Sequence, residues 1–375
     1  MKIRYFDNAA TTPVREEVIK EMIPYFGVEY GNASTMYSIG RNARRAMNHS
    51  RKQVAEAINC DINEIYFTSC GSESDNLAIK GFAWANKDKG NHIITSKIEH
   101  HAVLDACKTL EKQGFKVTYL NVDNKGIVDL NQLVDSITEE TILITIMFAN
   151  NEIGTIEPIE KIGQIAKQKG IAFHTDAVQA IGNTKIDVKK LNIDMLSLSG
   201  HKFYAPKGVG ALYVRNGINF NKMLDGGEQE SNKRAGTENV AEIVALGKAI
   251  ELIYNEYEEY NKKLTDLRDY YIDRVQKEIA NVKVNGDLEN RLPGNANISF
   301  KDIDGEELLL KLDEVGICAS AGSACSTSNP QPSHVLTAIG LEKEYIDGTL
   351  RVSFGRDNTK EDVDFLIDNL RRIIV

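Results

Sequence analysis

No apolar run in this chain approaches the ~18 residues that a membrane-spanning helix needs. The opening Met1-Lys-Ile-Arg-Tyr5 lacks the long apolar core of a signal peptide. These two absences exclude the simplest membrane and secretory readings and make cytoplasmic residence the expectation. Positive charge is also short: 45 Lys and Arg stand against 54 Asp and Glu, a net charge of −9. That balance argues against a general nucleic-acid or acidic-membrane surface, so neither is expected as a partner. The five cysteines (Cys60, Cys70, Cys107, Cys318, Cys325) include no CxxC pair and no zinc spacing. They read as reduced thiols, any one of which can be reactive, with no resident metal expected. Internal repeats and low-complexity segments are absent too.

What is present is an ordinary globular composition, 42% hydrophobic and 26% charged over 375 residues. That length exceeds one ordinary core and predicts two domains, or a large α/β domain with a smaller one. Short apolar stretches at 64–68, 92–96, 116–120, 141–148, 171–175, 194–198 and 211–214 alternate with helical patterns such as 102–113 and 159–169. Strand, helix, strand repeated in this way predicts a mainly parallel, doubly wound sheet. From about Val240 the character changes: one long charged helix is expected through Glu251 to Ile279. Short strands and helices follow it, which predicts a smaller α+β unit.

Several polar stretches interrupt this frame at strand ends, where open α/β sheets carry chemistry. Leu196-Ser-Leu-Ser-Gly-His-Lys-Phe203 delivers Lys202 from a buried-strand pattern into a Gly/Pro-rich loop. A partly desolvated lysine there can become nucleophilic and form a Schiff base with a carbonyl cofactor, although a solvated lysine is the plainer alternative. Ser69-Cys-Gly-Ser72 joins a strand to a helix expected from Leu77. Gly71 allows close backbone approach, Ser72 offers a hydroxyl, and a helix start adds amide donors, which together suit a phosphate. Asp176 and Gln179 follow another strand: the acid either protonates a ring nitrogen or caps the next helix. His100 or His101 could stack on a flat cofactor and move protons. Arg351, in an apolar strand, needs an anion, either a substrate carboxylate or a structural partner. Cys325 sits in Ala319-Ser-Ala-Gly-Ser-Ala-Cys-Ser-Thr-Ser328, a composition that predicts a mobile loop and an exposed thiol.

Taken in order, Glu73-Ser-Asp-Asn76, Glu99-His100, Asn150-Asn-Glu-Ile-Gly154, Asp176-Ala-Val-Gln179, Ser199-Gly-His-Lys202, Arg234-Ala-Gly-Thr237 and Ser323-Ala-Cys325 resemble the cysteine desulfurases. These are pyridoxal-phosphate enzymes of the aspartate aminotransferase fold type and the aminotransferase class V group, and the likeness spans essentially the whole chain. It implies a large cofactor-binding domain (15–257) with a mainly parallel seven-stranded sheet sandwiched by helices. The small α+β domain would comprise 1–14 and 258–375 and carry the cysteine loop at about 319–332. It implies a homodimer that converts L-cysteine to L-alanine and passes the sulfur, as a Cys325 persulfide, to an acceptor protein. The acceptor would be an iron–sulfur scaffold or a tRNA-thiolation enzyme, and Cys325 would contact an iron–sulfur cluster during transfer. Lys202 would hold pyridoxal 5'-phosphate, Asp176 would pair with its ring nitrogen, and Gln179 and Asn151 would sit near its hydroxyl. His100 would stack on the ring. Gly71, Ser72, Ser199 and His201 would bind the phosphate, with Thr237 from the other subunit, and Arg351 would bind the substrate carboxylate. The generous cysteine loop is similar to the iron–sulfur-assembly and nitrogen-fixation class of these enzymes. The phosphate loop departs from the usual pattern, reading Ser69-Cys70-Gly71-Ser72 where Ser-Gly is common. Alternatives are a selenocysteine lyase or another enzyme of the fold type, and, from a different class, an inactive sulfur-transfer scaffold.

Overall fold

The computed structural model describes residues 2–321 and 332–374. Its strands are β1 (Arg4–Tyr5), β2 (Ile65–Thr68), β3 (His92–Ser96), β4 (Lys116–Leu120), β5 (Thr141–Thr145), β6 (Ala172–Asp176), β7 (Met195–Ser199), β8 (Gly210–Val214), β9 (Val282–Val284), β10 (Asn295–Phe300), β11 (Ile317–Cys318) and β12 (Thr349–Ser353). Seven of them form the central sheet, in the order β2-β8-β7-β6-β5-β3-β4. Neighbours from β7 to β4 run parallel. β8 runs antiparallel to both β7 and β2.

Strands β3, β5, β6 and β7 are buried on both faces, as parallel strands covered by helices must be. One apolar layer (Val54, Ile144, Phe173, Leu196, Leu246) packs under helices Ser38–Ile58 and Val240–Asn255. The other (Ile79, Ile93, Val103, Leu143, Met195) packs under the helical stretch beginning at Gly71 and the helix His101–Glu111. Because crossovers bring each parallel strand back in the same sense, the carboxyl ends of β3, β5, β6 and β7 open on one edge.

A second core gathers Leu264, Tyr271, Ile298, Phe300, Leu350, Val352 and Leu366 around the antiparallel sheet β9-β10-β12. The chain's beginning joins this unit: β1 pairs in parallel with β11, and Asp7 bridges to Ser353. A third cluster of Ile98, Met147, Ile153, Val335, Leu336 and Ile339 fills the junction.

Two elements differ from expectation. The long charged helix is broken at Glu256, between helices Val240–Asn255 and Tyr257–Glu278. Both carboxylate oxygens of Glu256 are taken at 2.8 Å by the guanidinium of buried Arg15, an interaction from 241 residues away that no local pattern announces. The helix after β2 starts at Gly71 rather than Leu77, running as Gly71–Asn76, a π-helical stretch Leu77–Gly81, and Phe82–Ala85. Glu73 allows the early start: its carboxylate accepts the Ser69 backbone N–H at 2.7 Å and the Ser69 hydroxyl, closing the turn ahead of the first helical residue.

Candidate active site

Lys202 ends a short 3-10 turn, Gly200–Lys202, directly after β7. Its Nζ donates to the carbonyls of Ala9 at 2.7 Å and Ala10 at 2.8 Å. The carbonyl of Ala9 also accepts Gln179 Nε2 at 2.9 Å, so the first strand-and-loop segment ties these two residues together. Asp176 closes β6 on the same edge, 7% exposed, with Oδ1 accepting the Val178 N–H at 2.9 Å. Burial pushes the Asp176 carboxyl up; His100 and Lys202 pull against it, as does the Val178 bond. A buried acid so balanced is served by a cationic or protonated ring nitrogen as its partner.

Helix His101–Glu111 begins at His100, whose Nδ1 accepts the Ala102 N–H at 3.1 Å, leaving Nε2 as the proton-carrying nitrogen. Just before it, Glu99 is fully buried: Oε1 accepts the Ser96 hydroxyl at 2.6 Å, and the Met147 N–H lies 3.0 Å from each oxygen. Burial pushes the Glu99 carboxyl up to about 8, against these bonds and with help from the charge of Asp176. Its folded value exceeds the ordinary 4.5, so its contribution is fully present below that value and is lost as pH rises through about 8. A tenfold difference in proton affinity between folded and unfolded chain is worth about 1.4 kcal/mol. The melting temperature is therefore expected to decline over this window. Glu99→Gln, which stays neutral and keeps an acceptor for Met147, should flatten the decline in thermal melts taken across a pH series.

The phosphate-binding candidates converge. A Cβ on Gly71 would stand 2.7 Å from Val178 Cγ2 and 3.4 Å from Ser199 Cβ, so the bare glycine keeps a cradle open between the helix start and β7. His201 Nδ1 lies 3.1 Å from Thr11 Oγ1; burial first, then Lys202 and Lys207, push its ring down to about 4, which makes it a neutral donor. Ser72 lies in the first turn of the helix that starts at Gly71. Thr237 is exposed and lines a cleft of about 200 Å³ with Thr68, Ser69 and Arg234. Arg234 Nε donates to Glu73 Oε1 at 2.8 Å, fixing that segment to the helix that starts at Gly71.

Arg351, 2% exposed on β12, donates to Asp7 Oδ1 at 2.8 Å and to the carbonyl of Asn151 at 3.1 Å. The anion that the sequence left open thus includes a structural one, Asp7. Cys325 lies outside the described residues.

Side chains assigned no role from the sequence also meet here. Asp75, 1% exposed, has its Oδ1 3.7 Å from His174 Nε2. Burial first, then the charge of Asp176, drive its carboxyl well above the usual range. His174 is bonded on both nitrogens, to Thr145 at 2.8 Å and Ser197 at 3.0 Å, and burial pushes it down to about 3, so it is neutral. The one available signal was spacing: His174 stands two residues before Asp176 on a strand, hence on the same face. A glycine at a helix start, the neutral ring of His201 and the buried acid Asp176 form a set that fits a phosphate-bearing, ring-nitrogen cofactor.

The Aminotransferase class-V family profile matches residues 4–366. Among curated relatives, "Cysteine desulfurase IscS" of Methanosarcina thermophila is 57% identical over 373 residues, covering 100% of this chain and 92% of the relative. The protein of the same name from Clostridium botulinum (strain Hall) is 55% identical over 372 residues, covering 99% and 94%. Among solved structures, a NifS-like protein superposes with a TM-score of 0.94 at 37% identity, over 100% of this chain and 99% of that one. A structure of SspA in complex with cysteine gives 0.83 at 38% identity, over 94% and 99%.

Proposed function

The chain belongs to the aminotransferase class-V family and is a cysteine desulfurase, and from that premise we propose how its residues divide the work. The residues present fit pyridoxal 5'-phosphate, and Lys202 would hold it. Gly71, Ser72, Ser199 and His201 would hold its phosphate, Asp176 its ring nitrogen, Gln179 and Asn151 its hydroxyl, and His100 its ring. When bound, it supplies an electron sink for the substrate's α-carbon. Lys202 Nζ takes and returns the proton at that carbon. Arg351 orients L-cysteine through its carboxylate, with Asp7 and the Asn151 carbonyl fixing the guanidinium. His100 moves protons at the substrate sulfur from Nε2, its Nδ1 being engaged by Ala102. The thiolate of Cys325 attacks that sulfur: an S–S bond forms, the C–S bond of the substrate breaks, and the carbon is protonated. L-alanine leaves, and the sulfur stays on Cys325 as a persulfide for an acceptor protein.

The observation that carries this reading is the convergence of Lys202, Asp176, His100 and the Gly71 cradle on one edge of the sheet. Reconstitution tests it. Protein incubated with pyridoxal phosphate should turn yellow and convert L-cysteine to equal amounts of alanine and, with a reducing thiol, sulfide. Protein that stays colourless, or that turns over selenocysteine but not cysteine, would overturn it.

The homodimer belongs to the same reading. Its support is an exposed apolar segment, with Phe26 66%, Val28 75% and Met36 87% accessible, alongside the exposed Thr237. The division into 15–257 and 1–14 with 258–375 is supported by the separate apolar core around β9-β10-β12. No helix among the described residues is long and apolar enough to cross a membrane; cytoplasmic residence and the choice between iron–sulfur and thiolation acceptors remain part of the proposal.

A further inference from the structure

β2 is the outermost strand of the central sheet, hydrogen-bonded to β8 on its inner side. The backbone groups on its outer edge need other partners. One ion pair supplies two of them: Arg51 Nη1 donates to the Ile65 carbonyl at 2.5 Å, and Glu230 Oε2 accepts the Phe67 N–H at 2.9 Å. The two side chains also grip each other in a fork, Nη1 to Oε2 and Nη2 to Oε1, both at 2.7 Å. The guanidinium carbon of Arg51 lies 4.6 Å from the centre of the Phe67 ring, and Glu230 is 8% exposed. Such a two-pronged, charge-assisted contact fixes direction as well as distance.

Glu230 makes this reach from strained backbone. Its φ is 46°, followed by 56° at Ser231 and 62° at Asn232, three left-handed residues in a row without a glycine. L side chains avoid that region, and such a run persists only where the surroundings over-determine it. The turn has a consequence further along the chain. Gln229, next to Glu230, accepts the Gly236 N–H on Oε1 at 3.1 Å, and Gly236 holds φ at 108° directly before Thr237. Arg234, in between, donates from Nε to Glu73. Glu230, Arg234 and Thr237 line the same cleft.

We propose that Glu230 and Gln229 are positioning residues for the cofactor's phosphate: the first locks the turn to the edge of β2, the second holds Gly236, and together they set where Thr237 stands. Neither touches the cofactor, and the inference rests on the reading of Thr237 as a phosphate ligand. A displaced Thr237 weakens the hold on the phosphate and leaves the ring, Lys202 and Asp176 as they are. That asymmetry separates positioning from general support of the fold.

The test is equilibrium binding. Protein stripped of cofactor is titrated with pyridoxal 5'-phosphate and, separately, with pyridoxal, which has the ring and aldehyde but no phosphate. Glu230→Gln keeps an acceptor for the Phe67 N–H and gives up the charge that Arg51 grips; Gln229→Ala frees Gly236. Each should weaken pyridoxal 5'-phosphate binding roughly 10-fold, the order of one hydrogen bond to a charged group, and leave pyridoxal binding as in the parent. Thr237→Ala should show the same selective loss, and adding Glu230→Gln to it should cost nothing further. Arg51→Lys, which retains a cation without the fork, should give a smaller loss of the same kind and serves where Glu230→Gln does not fold. Parent-like affinity for both ligands in Glu230→Gln and Gln229→Ala, or equal weakening of both ligands, would overturn the proposal. A Thr237→Ala protein that still prefers the phosphorylated ligand as strongly as the parent would instead remove Thr237 as a phosphate ligand, and the proposal with it.

Discussion

Replacing Lys202 by Ala is expected to give a folded protein that no longer shows the visible band of a lysine-bound cofactor and releases alanine from cysteine at least roughly 10²–10⁴-fold more slowly. On the proposed reading, two losses would coincide in one side chain, the attachment of the cofactor and the base at the substrate's α-carbon. The fold should survive. Lys202 contributes two bonds to the carbonyls of Ala9 and Ala10, worth about 1–3 kcal/mol between them. The Ala9 carbonyl keeps Gln179 as a donor, and the first residues stay pinned by β1 against β11 and by Asp7 on Arg351. A circular-dichroism melt close to that of the parent, together with a colourless spectrum, would separate chemistry from folding. A band that persisted unchanged would remove Lys202 from its role.

Cys325→Ser should be as damaging to turnover and should leave the cofactor alone. A hydroxyl cannot supply the thiolate that attacks sulfur. The enzyme should remain yellow and respond spectrally to cysteine, yet form neither persulfide nor catalytic amounts of alanine. The other thiols are poor substitutes. Burial pushes Cys60 up to about 12 and raises Cys107 and Cys318 as well, with nearby carboxylates adding to it in each case. Cys70 is the informative control, since it directly precedes the helix that starts at Gly71. Inactivation by Cys70→Ser with retained activity in Cys325→Ser would exchange the two assignments.

The alternation of apolar strands with helical patterns was enough to anticipate a mainly parallel central sheet. It also placed Lys202, Asp176 and His100 at strand ends, because a charged residue directly after a two-sided apolar run has nowhere else to go. Periodicity carries no direction, so the antiparallel course of β8 could not be read from its apolar residues. The break at Glu256 and the helix start at Gly71 were illegible for a related reason: each depends on a side-chain bond that competes with local propensity. The partners of the site residues were hidden most completely. Lys202 bonds backbone carbonyls, which have no sequence signature.

The docking of the first ten residues sets an order of assembly. Asp7 meets Arg351 across 344 residues and Ala9 meets Lys202 across 193, and such non-local contacts cost loop-closure entropy before they form. During synthesis the large sheet can form behind the ribosome. The pairing of Asp7 with Arg351 requires β12 to have emerged. On the proposed reading, a truncated chain lacking β12 would carry the lysine without the completed surroundings and should fail to turn yellow with pyridoxal phosphate.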